Sequence, residues 1–352
     1  MNRAVLTITL ATCASLVSTT AQAAAWNVPT NMRVVQKSNI DTSGRVYGNI
    51  QQAIDSISGA SATNPFVVKV MPGVYDLGTG TLSMKPHVDV EGSGPENTIV
   101  TSSNNNVDGS TCTVGTVLMA NDSAIRNIRV VNRAPALGGA YTTVAALVFN
   151  NVKAKAEHMT IMTGSDTAVG GQNNGACTYG PFADATLNDV TIEARNNSNG
   201  LTTAIIAMGG RLIVTNSKLS AFNAGGWCDV INDNTPYLES TTILINNTTI
   251  EGACGTAVAI YSNWNHIRIS DSTLVLNVGA SGSAVPFQAS GGTELSMTSS
   301  RILVSGAPAT YWFGSPDTVK IATTELPGDL SQFVGVKLVS DYDANFNPIT
   351  NQ

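Results

Sequence analysis

Between Arg126 and Leu326 one short pattern of polar and apolar positions returns: RNIRV (126–130), EHMTI (157–161), NDVTI (188–192), TNSKL (215–219), NNTTI (246–250), SDSTL (270–274), TSSRI (298–302) and ATTEL (322–326). The start-to-start steps are 31, 31, 27, 31, 24, 28 and 24 residues. In most blocks small polar residues come first, and Ile, Leu or Val closes each one. An alternating apolar run often precedes it: LIV before TNSKL, ILI before NNTTI, IRI before SDSTL and LSM before TSSRI. Alternation with a period of two predicts half-buried strands. A polar pair between two such strands predicts a tight corner. Recurrence at this period predicts stacked coils, each too small to bury its own apolar face.

A second kind of strand lies between the blocks: VAALVFNN (144–151), TAIIAMGG (203–210), TAVAIYSN (256–263) and SAVPFQASGG (283–292). These are apolar almost throughout and end in Asn or Gly, as expected for another wall of each coil. The predicted class is all-β, a single-stranded parallel β-helix spanning 47–345, with a leader at 24–46 and a tail at 346–352. Too few residues remain for the crossover helices of an α/β fold. Asn-Gly hairpin turns are scarce, which argues against an antiparallel sandwich. One helix is predicted over Tyr47–Ser58, where Ile50, Ala53, Ile54 and Ile57 follow helical spacing. Its expected role is to cap the open end of the stack. Three stretches break the period and are expected to leave the coils as loops: Arg133–Thr143, Gly164–Phe182 and Phe222–Tyr237. In a solenoid such excursions often carry the binding face.

The charged fraction is 12% and the net charge −6, which leaves no overall basic footprint for nucleic acid. The first 23 residues read as a secretory signal: Arg3, the apolar run from Ala4 to Val17, and a small-x-small site ending at Ala23. No later run reaches the ~18 apolar residues of a membrane span. The expected location is therefore secreted, periplasmic or cell-surface. Beyond the signal stand Cys112, Cys177, Cys228 and Cys254, and export favours their oxidation. Cys228 and Cys254 lie 26 residues apart, about one coil, and are expected to pair.

The stretches NIQQAIDSI (49–57), VVKVMPGVY (67–75) and HVDVEGSGPENTIVT (87–101) resemble the opening of pectinesterase-like proteins of the pectin lyase-like superfamily. That resemblance implies a right-handed β-helix. The whole chain, with its DYDANFNPIT ending, also looks like secreted bacterial β-helix repeat proteins without an assigned activity. Active pectinesterases use two Asp, one as acid and one as nucleophile, together with glutamines and a positioning Arg. Setting TNSKLSAFNA (215–224) and NNTTIEGACG (246–255) against the family's blocks puts its Gln-Asp pair on Asn223-Ala224, its second Asp on Gly255 and a further Gln on Thr203. Both carboxylates are then missing, and ester hydrolysis by that route needs a charged nucleophile and a proton donor.

The remaining candidate cluster is Trp227, Asp229, Asp233, Tyr237 and Glu239 in the third interruption, with Arg211 earlier in the same coil. The three carboxylates suit calcium or the acid/base pair of glycoside hydrolysis. Trp227 and Tyr237 offer flat surfaces to sugar rings. The competing reading is a structural polar loop in which Asp serves as a turn former. Asp166, Asp184 and Asp189 form a weaker set, with Asp189 expected at a corner. Lys218, Arg211 and Arg195 are possible bases for lyase chemistry, while His87, His158 and His266 read as structural. The leading expectation is a protein that binds extracellular or cell-wall polysaccharide without pectinesterase chemistry. The alternatives are a polysaccharide lyase, hydrolase or carbohydrate esterase with its site at 222–239, and a structural surface repeat.

Overall fold

The computed structural model describes residues 28–106, 112–134, 143–164, 171–197, 200–233, 240–314 and 318–327, and the backbone of 337–339, 341–343 and 348–349. The expected signal at 1–23 lies outside them. Strands wind as successive coils, each paired in parallel with the coils before and after it, so that every wall is a parallel sheet. Wall 1 stacks 153–157 on 184–188, 211–215, 242–246, 266–270, 294–298 and 318–322. Wall 2 stacks 129–132, 160–163, 191–194, 218–221, 249–252, 273–276 and 301–304. Wall 3 stacks 143–150, 172–179, 201–208, 227–232, 256–261, 283–288 and 312–313. The fold is a right-handed parallel β-helix.

The recurring block is the corner between walls 1 and 2. Its second residue is left-handed every time: Asn127, His158, Asp189, Asn216, Asn247, Asp271, Ser299 and Thr323 all have φ between 47° and 56°. Asn and Asp tolerate this conformation better than other non-glycine residues, which accounts for the polar residues heading each block. The third residue turns inward. From Ser217 onward it is a hydroxyl residue that caps the corner. Ser217 Oγ accepts from Val190 N–H at 3.1 Å, Ser272 Oγ from Thr248 N–H at 3.1 Å, and Ser300 Oγ from Ser272 N–H at 3.2 Å. Each hydroxyl donates in turn to the carbonyl two residues back: Ser217 to Thr215 O, Ser272 to Ser270 O and Ser300 to Thr298 O. Backbone groups that leave the sheet ladder at the corner are thus satisfied without water. The fifth residue is the core. Ile161, Ile192, Leu219, Ile250 and Leu274 stand directly in register and are fully buried.

Wall 3 differs because its strands do not alternate strictly. Ala146 and Leu147, Ala204 and Ile205, Val230 and Ile231, and Ala259 and Ile260 are consecutive pairs that both pack into the interior. The near-continuous apolar runs in the sequence follow from this. Over the earlier coils its outer face also carries apolar cover. Cys112, Ala145, Val148, Cys177 and Ile206 form a second buried cluster, built around the Cys112–Cys177 disulfide. Cys228 and Cys254 also pair, as expected, with Cα atoms 6.1 Å apart.

Several boundaries depart from expectation. The helix covers only Ile50–Asp55, with Asn49 as N-cap accepting from Gln52 N–H at 3.1 Å. The stack begins inside the stretch read as a leader, because Met32–Val35 pairs with Phe66–Val70. Pro348–Ile349, within the stretch read as a tail, pairs antiparallel with Asp341–Asp343. Two of the three interruptions contain wall strands. Gln172–Tyr179 is a buried strand of wall 3, and Lys218–Asp233 is one strand that runs through walls 2 and 3. Its register slips only between Asn223 and Trp227. The bend lets one strand serve two walls, and the slip breaks the repeat seen in the sequence.

Candidate functional site

Trp227 and Asp229 stand on the outer side of wall 3, where Cys228 and Val230 between and beside them point into the core. Trp227 is 41% exposed and Asp229 only 5%. The indole Nε1 donates to Asp229 Oδ1 at 2.6 Å, and Asn232 Nδ2 donates to Asp229 Oδ2 at 2.5 Å. Burial pushes the Asp229 carboxyl up to about 6, against the pull of those two donors toward the ionised form. Asp229 is therefore a shielded carboxyl that exchanges its proton near neutrality.

The coil register sets Asp229 in a row with Asn174 and Thr203 before it and Val258 and Val285 after it. Thr203 is the position that the resemblance assigns to a family glutamine. The residue next to it in the following coil is thus Asp229, while Asn223 and Ala224, the positions reached by sequence register, lie before the slip in the strand. The row holds one carboxylate, since the coil after Asp229 presents Val258. Both amide atoms of Asn174 and the Thr203 hydroxyl are buried without a hydrogen-bond partner among the described residues, the kind of site that an internal water satisfies. A parallel row runs Asn232, Tyr261, Gln288 and Trp312 along the column. Trp312 is 43% exposed. Phe182 and Trp264, both exposed, rim the same wall at its corner with wall 1.

The other described members of the expected cluster do not join Asp229. Asp233 is fully buried at the end of its strand, accepting from Thr241 Oγ1 at 3.1 Å, and is not on the outer face with Trp227 and Asp229. Tyr237 and Glu239 lie outside the described residues. Arg211 belongs to wall 1, because a single coil distributes its residues over three walls. Among the described residues no three His, Cys, Asp or Glu side chains come together as a cation site, so the calcium set of Asp229, Asp233 and Glu239 is not assembled from the first two. Of the other candidate bases, Lys218 pairs with Glu251 at 2.9 Å. Arg195 pairs with Glu193 at 3.2 Å and stacks over Phe222. His158 takes a left-handed corner and contacts Asp189, and His266 sits 3.0 Å from Glu294. Asp166 lies outside the described residues.

No protein-family model and no curated protein matches this chain. Solved structures do resemble it. A pectin methylesterase from Aspergillus niger is 12% identical, with 91% of this chain and 88% of that one covered and a TM-score of 0.47. A carrot pectin methylesterase is 14% identical, covering 91% and 84%, at a TM-score of 0.41. The catalytic domain of a GH87 α-1,3-glucanase is 10% identical, covering 90% and 65%, at a TM-score of 0.45. The fold assignment rests on the coil register rather than on these likenesses.

No helix among the described residues is long and apolar enough to cross a membrane.

Proposed function

We propose that this protein is exported and binds a linear polysaccharide along the outer face of wall 3, without two-carboxylate ester or glycoside hydrolysis. The carrying observation is the pair of adjacent rows. One presents flat and amide side chains in line: Asn232, Tyr261, Gln288 and Trp312. The other carries Asp229, held by the exposed indole of Trp227. Coils repeat every ~4.8 Å, so these rows offer contacts along a polymer rather than around one small molecule. The exposed indoles and the part-exposed phenol cover the apolar faces of the pyranose, and the part-exposed amides of Asn232 and Gln288 meet sugar hydroxyls. Two disulfides suit an oxidising compartment.

The binding test is affinity electrophoresis through gels containing neutral or uronic-acid polymers. Trp227→Ala and Trp312→Ala are each expected to weaken retardation by about fivefold or more, as loss of an aromatic anchor does. Wild-type and variant mobilities that are equal in every gel would remove wall 3 as the binding face.

A catalytic reading draws support from the raised proton affinity of Asp229, which suits a general acid. Hydrolysis needs a second carboxylate on the opposite side of the bond, and Asp233 is fully buried. That reading therefore depends on Glu239. It predicts product release from a polysaccharide that Asp229→Asn abolishes.

A further inference from the structure

We infer that wall 1 is a second binding face, built for a linear polyanion of the uronate-bearing polysaccharide class. The chain as a whole is acidic, with 18 Lys and Arg against 24 Asp and Glu. Elsewhere Lys69, Arg126, Arg129, Arg195, Lys218 and Arg301 each pair with a carboxylate. Arg33, Arg45 and Lys85 donate to backbone carbonyls, and Lys37 lies over the Tyr75 ring. Lys153, Lys155, Arg211, Arg268 and Lys320 are different. All five are exposed on wall 1, and among the described residues none of them makes an ion pair.

Their placement is periodic. In the stacking order 153–157, 184–188, 211–215, 242–246, 266–270, 294–298 and 318–322, the cations occupy the first, third, fifth and seventh strands. Every second coil therefore presents positive charge, at intervals of ~10 Å. Arg211, Arg268 and Lys320 line one groove of about 800 Å³, floored by Leu244 and edged by Thr242, Ser296 and Thr318. His266 and Glu294 occupy each other at its side.

In an extended uronate polymer whose neighbouring sugars face opposite ways, every second carboxylate points to the same side. Asp184 stands in register between Lys153 and Arg211, so the uninterrupted part of the ladder is Arg211, Arg268 and Lys320. These meet such a chain charge for charge, and Thr242, Ser296 and Thr318 beside them suit sugar hydroxyls. Single-stranded nucleic acid is the competing polyanion, but its binding sites add aromatic rings on which bases stack. Among the described residues wall 1 turns no Phe, Tyr or Trp outward. This face is separate from wall 3, so either proposal can fail while the other stands.

The test uses the mature, disulfide-intact protein with three probes: polygalacturonate, a neutral linear glucan and a thymidine oligonucleotide. The triple variant Arg211→Glu, Arg268→Glu, Lys320→Glu is expected to bind polygalacturonate at least ~10-fold more weakly, with glucan binding unchanged. A matched charge change on ion-paired sites, Arg129→Glu, Lys218→Glu, Arg301→Glu, is expected to cost less than about threefold. Wild-type polygalacturonate binding should weaken roughly tenfold between 50 and 200 mM salt, as release of counterions from a few neutralised charges requires. If the triple variant does not fold, Arg268→Gln alone carries the test, with an expected loss of about threefold. Equal losses in the two triple variants, unchanged polygalacturonate affinity in the wall 1 variant, or tighter binding of the oligonucleotide than of polygalacturonate would each overturn the inference.

Discussion

A Leu219→Asp variant is expected not to reach the native state, and Leu219→Ala is expected to lose about 2–5 kcal/mol of stability. Leu219 is fully buried and stacked between Ile192 below and Ile250 above. A carboxylate there has no partner and no water, and an isolated buried charge costs more than a marginally stable fold can spare. Alanine removes the contacts made with two coils at once and leaves a cavity that rigid neighbouring rungs cannot close. The contrasting site is Leu303 in the same wall, which faces outward and is 38% exposed. Leu303→Asp should change stability by less than about 0.5 kcal/mol. Urea denaturation followed by circular dichroism distinguishes the two. Equal effects at Leu219 and Leu303 would mean that the rungs do not stack as described.

The second large effect is on pH dependence. The Asp229 carboxyl ordinarily ionises near 3.8 and is held at about 6 in the folded protein. The folded state therefore binds this proton more tightly than the unfolded chain. Between those two values the native state holds more protons, so stability falls as pH rises and levels off above about 6. A displacement of roughly two pH units corresponds to ~3 kcal/mol. The expected result is a wild-type protein less stable at pH 7 than at pH 4 by up to that amount, from this group. Asp229→Asn should flatten the slope, because its amide cannot ionise and Asn232 can turn its own oxygen toward the new donor. Unfolding midpoints measured from pH 4 to 7 for both proteins check this. A wild-type curve parallel to that of Asp229→Asn would show that the carboxyl is not shielded.

Much of the column was legible before any coordinates. The fifth residue of each block is an aliphatic rung because strands alternate. The second is Asn, Asp or Ser in six of the eight blocks, with His158 and Thr323 in the other two, because a left-handed corner favours polar side chains, Asn and Asp above all. Cys228 and Cys254 were legible because one coil separates them. What escaped notice did so for physical reasons. Gln172–Tyr179 contains Asn173, Asn174 and Gly175, a loop-like composition, yet it is a wall strand because the coils on either side supply its backbone partners. The 218–233 strand was hidden by the slip between Asn223 and Trp227, where Gly225 and Gly226 interrupt the alternation. In the sequence Trp227 and Asp229 are grouped only as neighbours in one interruption; their bond as alternate residues on one face follows from the strand, which the sequence pattern conceals. The separation of Arg211 was concealed too, because nearness along a coil does not mean a shared wall. The cation ladder on wall 1 was invisible locally: its members are scattered between Lys153 and Lys320, and only the coil register aligns them.

The sharpest measurement is a product assay on the wild-type protein with methyl-esterified and de-esterified uronic-acid polymers and with neutral glucans. Methanol, new reducing ends and unsaturated ends are followed while binding is recorded in parallel. A protein with Asp229 as the one carboxyl among the described residues of wall 3, and valine in the next coil, should retain the polymer and release none of the three. Steady product formation that disappears in Asp229→Asn would contradict that outcome and make wall 3 the face of an active site.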